Sequence, residues 1–90
     1  MRIRIGEHEF DHVTYDAEGD VLYLRLGPSR RADHTYGTPE GHAVRFDEAN
    51  NIIGITLVNA KWLSERDGKV TVTLPERIEA SAEDLAPALG

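Results

Sequence analysis

The sequence has no cysteine, which excludes disulfides, thiol nucleophiles and metal sites built on thiolates. It also lacks an apolar run of the roughly 20 residues that a membrane-spanning helix needs. The opening Met1-Arg2-Ile3-Arg4-Ile5 interleaves charge with isoleucine and is unlike the continuous apolar segment of a secretory signal. Basic charge is scarce: 10 Lys and Arg stand against 16 Asp and Glu, a net charge of −6, and only Arg30-Arg31 cluster. Sequence-independent nucleic-acid binding works by neutralising phosphates, so nucleic acid is not an expected partner. There is neither a glycine-rich phosphate loop nor a serine in a nucleophile-elbow setting. Together these absences predict a cytoplasmic protein of bacterial or archaeal type, without membrane association and without a cofactor.

What is present is a repeat. Tyr15-Asp16-Ala17-Glu18-Gly19-Asp20-Val21-Leu22-Tyr23-Leu24 matches Phe46-Asp47-Glu48-Ala49-Asn50-Asn51-Ile52-Ile53-Gly54-Ile55 position by position. Each copy reads as an aromatic residue, an aspartate, a four-residue polar loop and an aliphatic-rich run, the signature of a β-hairpin. In the first copy, Asp16 opposite Val21 sets Tyr15 against Leu22, Thr14 against Tyr23, Val13 against Leu24 and His12 against Arg25. Val13, Tyr15, Leu22, Leu24 and Leu26 then share one face, which a slip of one residue would scatter. In the second copy, Asp47 opposite Ile52 sets Phe46 against Ile53, Val44 against Ile55 and His42 against Leu57. Arg45 falls opposite Gly54, whose missing side chain leaves room for it. Asp16 and Asp47 can each accept a hydrogen bond from the backbone two residues on. Gly19 and Asn50, at equivalent loop positions, are the residues expected at positive φ.

The rest of the chain is read around these hairpins. Ile3 and Ile5 alternate on a short strand, and Gly6-Glu7-His8 can turn the chain. Phe10 is out of phase with Val13 and Tyr15, which calls for a bulge near Asp11 or for Phe10 on the opposite face. The Gly27 to Gly41 segment reads as a crossover loop with a short extended stretch at Ala32 to Tyr36. Asn59 to Gly68 reads as one or two helical turns closed by Gly68, with Trp62 or Leu63 on the sheet; a strand turning at Asp67-Gly68 competes. Lys69 to Leu74 is a strand with Val70, Val72 and Leu74 inward, ended by Pro75. Ser81 suits the N-cap of a terminal helix reaching Leu89, its regularity limited by Pro87. At 90 residues, the chain suits one domain, 1–90, of α+β class and mostly β. The expected architecture is an antiparallel sheet of five or six strands with one or two short C-terminal helices.

Candidate chemistry is weaker than the structural pattern. His8-Glu9-Phe10-Asp11-His12 matches the His-Glu-x-x-His pattern of zinc proteases, which needs a helix to stack both histidines on one face. Here the segment runs straight into strand alternation. On a strand, residues four apart lie about 13 Å apart, too far to share one zinc. His8, His12, His34 and His42 therefore read as surface or turn histidines. Asp16-x-Glu18-x-Asp20 begins like a calcium loop, but Val21 and Gly27 stand where glycine and glutamate are required. One feature is left over. The outer faces of the hairpins carry His12, Tyr23, Arg25, Arg45 and Thr56 beside Val21, Ile52 and Val58. Such a mixed face is covered by the terminal helix or meets another chain.

The stretch from Tyr15 to Leu24, with Phe46-Asp47, Asn51-Ile52-Ile53-Gly54-Ile55 and Leu57-Val58-Asn59-Ala60, resembles the prokaryotic domain-of-unknown-function family numbered 2283, over residues 13–60. The resemblance implies a β-rich domain without an established activity. Relatives lying beside small toxin-like genes imply an antitoxin-like role with a neighbouring small protein. The chain departs from the family pattern where Asn51 replaces a turn glycine and Thr56 stands in place of a glutamate. The preferred functional expectation is a non-enzymatic protein-interaction module, a homo-oligomer formed through the face carrying His12, Tyr23, Arg25, Arg45 and Thr56. The alternatives are the antitoxin-like partner and a small metal-dependent hydrolase using His12 and Asp16.

Overall fold

The computed structural model describes residues 1–74 and 76–89, with the backbone alone at 74, 76 and 77. Its strands are β1 (Ile3–Ile5), β2 (His8–Phe10), β3 (His12–Asp16), β4 (Val21–Arg25), β5 (His34–Gly37), β6 (Ala43–Phe46), β7 (Ile52–Val58), β8 (Lys69–Leu74) and β9 (Glu76–Ser81). Helix α1 (Ala60–Asp67) follows β7, and α2 (Ala82–Leu85) follows β9. Five strands form an antiparallel sheet in the order β3-β4-β7-β6-β5, while β1–β2 and β8–β9 are separate hairpins. The α+β, mostly β reading holds, with two short helices in the C-terminal third.

The first hairpin takes the expected register at every position, from Asp16↔Val21 to His12↔Arg25. The second keeps Val44↔Ile55 and Arg45↔Gly54, but Phe46 pairs with Ile52 rather than with Ile53. The turn explains the slip. Asn50 N–H donates to the Asp47 carbonyl at 3.0 Å, Asp47 N–H donates to the Asn51 carbonyl at 2.9 Å, and Asn50 has φ 65°. This is a three-residue loop, a type I turn followed by a left-handed residue, one residue shorter than the Ala17–Asp20 loop. The surplus residue is absorbed as an irregularity where Arg45 and Phe46 pass β7. In the first turn the left-handed residue is Asp20, φ 55°, and not Gly19.

The segment expected as a crossover supplies more structure than anticipated. Its extended stretch is β5, the edge strand of the sheet, paired with β6. The connecting turn repeats the geometry of Asp47–Asn51: Gly41 N–H donates to the Thr38 carbonyl at 3.0 Å, and Thr38 N–H donates to the His42 carbonyl at 2.8 Å. Gly41 takes the left-handed position at φ 93°.

The inner face of the sheet buries Leu22, Leu24, Val44, Ile55 and Leu57 against Ile3, Ile5, Phe10, Val70, Val72, Ala80 and Leu85 in one contiguous core. Each of the Val, Leu, Ile and Phe side chains contributes roughly 1.5–3 kcal/mol by leaving water, and Ala80 less. Phe10 reaches this core because the chain bends at Asp11, whose Oδ1 accepts the Gly27 N–H at 2.9 Å. Leu26, expected inside, lies past the end of β4 and is 44% exposed.

Helix α1 ends as expected, with Gly68 at φ 73° donating to the Ser64 carbonyl. Leu63 packs on the core, whereas Trp62 faces solvent with the Arg66 guanidinium 4.4 Å from its ring centre. Val70 and Val72 of β8 point inward; the expected orientation of Leu74 and the strand end at Pro75 lie outside the described residues. Strand β9 is not announced by the sequence, because Glu76, Arg77 and Glu79 break up its apolar positions. Ser81 caps α2 by accepting the Asp84 N–H at 3.1 Å. The helix stops at Leu85, short of Leu89, since Pro87 has no N–H to continue the ladder. The chain goes on in tighter turns, with Ala88 N–H donating to Leu85.

Candidate functional site

Strand alternation sends every second residue of β3, β4, β7 and β6 away from the core, and the registers align these residues in rows across the sheet. One row runs Asp16, Val21, Val58; the middle row runs Thr14, Tyr23, Thr56, Ala43; the third runs His12, Arg25, Gly54, Arg45. The five residues expected on an interaction face, His12, Tyr23, Arg25, Arg45 and Thr56, all line one concavity of about 210 Å³ on this surface. Helix α2 packs instead on β1, β9 and α1. Tyr23 is 47% exposed and Val58 37%.

Gly54 gives the surface its hollow. A Cβ there would lie 3.1 Å from the Leu24 carbonyl oxygen and 3.7 Å from Arg45 Cδ, so the absent side chain lets Arg45 lie across the row as expected. Arg45 Nη2 donates to the Arg30 carbonyl at 2.7 Å. The Arg25 guanidinium makes no hydrogen bond or ion pair among the described residues. His12 Nε2 stands 3.8 Å from Asp11 Oδ1. No Asp or Glu side chain lines the concavity. On a chain of net charge −6 this is a local basic surface.

Two polar sites off this face were not anticipated. The first is Asp20. Its Oδ1 accepts from Lys61 N–H at 2.8 Å and from the Tyr15 hydroxyl at 2.8 Å, and its Oδ2 accepts from Trp62 N–H at 3.1 Å. Asn59, at the start of α1, is left-handed and makes no side-chain cap, so the first hairpin caps the helix from a distance. Burial pushes the Asp20 carboxyl up, but the two amides and the tyrosine hydroxyl outweigh it and hold it below the usual carboxylate range. The same bond to Asp20, with burial, pushes the Tyr15 hydroxyl up to about 12.

The second is His42, only 2% exposed, where a surface or turn histidine was expected. Its Nδ1 accepts the Val58 N–H at 3.1 Å, so the neutral ring carries its proton on Nε2. Nε2 is buried and faces the Thr71 backbone without reaching hydrogen-bond geometry. Burial lowers the His42 pKa, against smaller opposing effects of Glu40 and Thr71. Glu40 accepts from Thr73 N–H at 3.0 Å and from its hydroxyl at 2.6 Å, fastening the β5–β6 turn to β8. A groove of about 470 Å³ runs beside this joint, lined by Glu40, His42, Arg66, Lys69 and Thr71 among others. The signal for His42 is its phase: two residues before Val44, it falls on the inner face. Asp20 has no local signal, because the helix it caps lies far along the chain.

The remaining histidines are separated. His8 and His12 lie on β2 and β3, extended and not helical, so the His-Glu-x-x-His spacing does not stack them. His34 stacks on Phe46 with ring centres 4.9 Å apart. Among the described residues no three His, Cys, Asp or Glu side chains are grouped to hold a metal ion. His12 and Asp16 sit at opposite ends of β3. No helix among the described residues is long and apolar enough to cross a membrane.

No curated protein and no solved structure matches the chain. A family model described as "Protein of unknown function (DUF2283)" matches residues 12–61, the span from the first strand of the five-stranded sheet to the start of α1. With more than half its length matched, and with both hairpins and the outer face inside the match, the chain belongs to the DUF2283 family.

Proposed function

We propose that this domain is a non-enzymatic protein-interaction module that self-associates through the outer face of its five-stranded sheet. The observation that carries the reading is the one-sided burial of the sheet. Its inner face is packed into the core, while Tyr23, which lines the concavity, and Val58, farther along β7, stand exposed on the other. A solvated face is common in antiparallel sheets, but it is usually polar throughout. Here an exposed tyrosine and an unpaired arginine, residue types that dominate binding hot spots, share one concavity. The separation of His12 from Asp16 favours a binding role over hydrolysis.

Light scattering over a rising concentration series tests the proposal. The native chain should move from a mass of 10.0 kDa towards twice that value. Tyr23→Glu should hold it at the monomer mass with an unchanged circular dichroism spectrum. A native protein that keeps the monomer mass at the highest concentration overturns the reading.

A further inference from the structure

The outer face has a charge polarity along its strands. His12, Arg25 and Arg45 occupy the row at one end, and Asp16 is the carboxylate of the row at the other. The two rows lie on either side of the Tyr23 row, each about 7 Å from it at the usual strand rise. Asp16 Oδ1 accepts from Glu18 N–H at 3.2 Å and from Gly19 N–H at 3.3 Å, while Oδ2 accepts no hydrogen bond among the described residues. The face therefore carries an uncommitted carboxylate oxygen at one end and an unpaired guanidinium at the other.

We infer that the occupant of this face is a second copy of the chain, stacked about a twofold axis along the Tyr23 row, with Asp16 of each copy between His12 and Arg25 of the other. The inference rests on the self-association proposed above and specifies its geometry. A twofold axis lying along that row reverses the strand direction and keeps the strand order. The Asp16 row then covers the basic row, and symmetry makes the contact twice. Tyr23 meets Tyr23 at the centre, and Val58 faces the hollow over Gly54. The other in-plane axis, parallel to the strands, leaves each row facing itself, so the basic row of His12, Arg25 and Arg45 meets its own copy. Like charges in a desolvated contact disfavour it strongly. Two sheets stacked face to face sit about 10 Å apart, a gap that aspartate and arginine side chains span together.

A charge exchange tests the pairing. Arg25→Glu and Asp16→Lys should each remain at the monomer mass alone, because each homodimer then opposes like charges. Mixed together, the two should recover the dimer, since both contacts again join opposite charges. Asp16→Asn, which keeps an acceptor for the turn, should weaken native self-association about tenfold and thereby guards against a folding defect in Asp16→Lys. Variants that dimerise as the native chain does, a mixture that stays monomeric while the native chain dimerises, or an Asp16→Asn of native affinity would each overturn the geometry and leave self-association standing. A native chain that never associates would remove both.

Discussion

The turns Asp16–Asp20 and Asp47–Asn51 begin alike and end by serving different parts of the molecule. Both open with an aspartate that accepts the N–H two residues on, Glu18 at 3.2 Å and Ala49 at 3.0 Å. In the second turn the carboxylate closes its own loop further, taking Asn51 N–H at 2.8 Å and Asn51 Nδ2 at 3.3 Å. In the first, the last loop residue turns outward and its carboxylate holds the N-terminus of α1. Both turns place one residue at positive φ, but the Asn50 side chain stays within the sheet, its Oδ1 3.1 Å from His34 Nε2 on the exposed edge strand, whereas Asp20 joins the sheet to the helical layer. Two near-identical segments thus differ by one loop residue. That residue decides the register of one hairpin and the helix cap of the other.

The largest expected effect is at Asp20. Asp20→Ala should lower stability by about 2–3 kcal/mol in thermal unfolding, because it uncaps two helix amides and strands the Tyr15 hydroxyl. Asp20→Gly, although glycine suits positive φ better, should cost nearly as much, whereas Asn50→Gly should stay within about 0.5 kcal/mol of the native chain. Equal responses at the two positions would show that both residues are merely turn formers.

A smaller loss, about 1 kcal/mol, is expected for Tyr15→Phe. The same hydroxyl gives an alkaline signature. With its folded pKa raised from 10.0 to about 12, its contribution is full below pH 10 and is lost as pH rises through about 12. Ultraviolet titration of Tyr15→Phe should lack a transition near that value that the native protein shows. Between the opening aspartates, Asp47→Ala should lower the melting temperature more than Asp16→Ala, in keeping with its shorter and more numerous bonds.

The third turn, Thr38–His42, ends in a buried histidine and so responds to pH. The His42 pKa is lowered from 6.5, so its contribution to stability is present above that value. It shrinks as pH falls through that value and is gone below the lowered pKa. Denaturant unfolding at pH 7.5 and 5.5 should show this acid loss in the native chain and less of it in His42→Leu.

Much of the sheet was legible because its alternation is strict. The register from His12 to Val21, the place of Arg45 over Gly54 and the five residues of the outer concavity all follow from a period of two. What was not legible depends on choices that period cannot express. Gly19 tolerates positive φ better than Asp20, yet Asp20 takes it, because its carboxylate gains three bonds outside the loop. The irregularity at Arg45 and Phe46 follows from a loop one residue shorter, which composition does not reveal. His42 keeps the inward phase of Val44, but its polarity reads as surface. Its burial is explained by the Val58 amide that it satisfies.

The proposed self-association puts the contact with a second copy on the outer face of the sheet. Backbone ¹H–¹⁵N correlation spectra recorded from dilute to concentrated protein would locate that contact residue by residue. Amides of Thr14, Tyr23, Arg25 and Thr56 should shift or broaden together, while those of the edge strand His34–Gly37 stay fixed. Shifts confined to that edge strand or to the helix around Trp62, with the outer face unmoved, would contradict it.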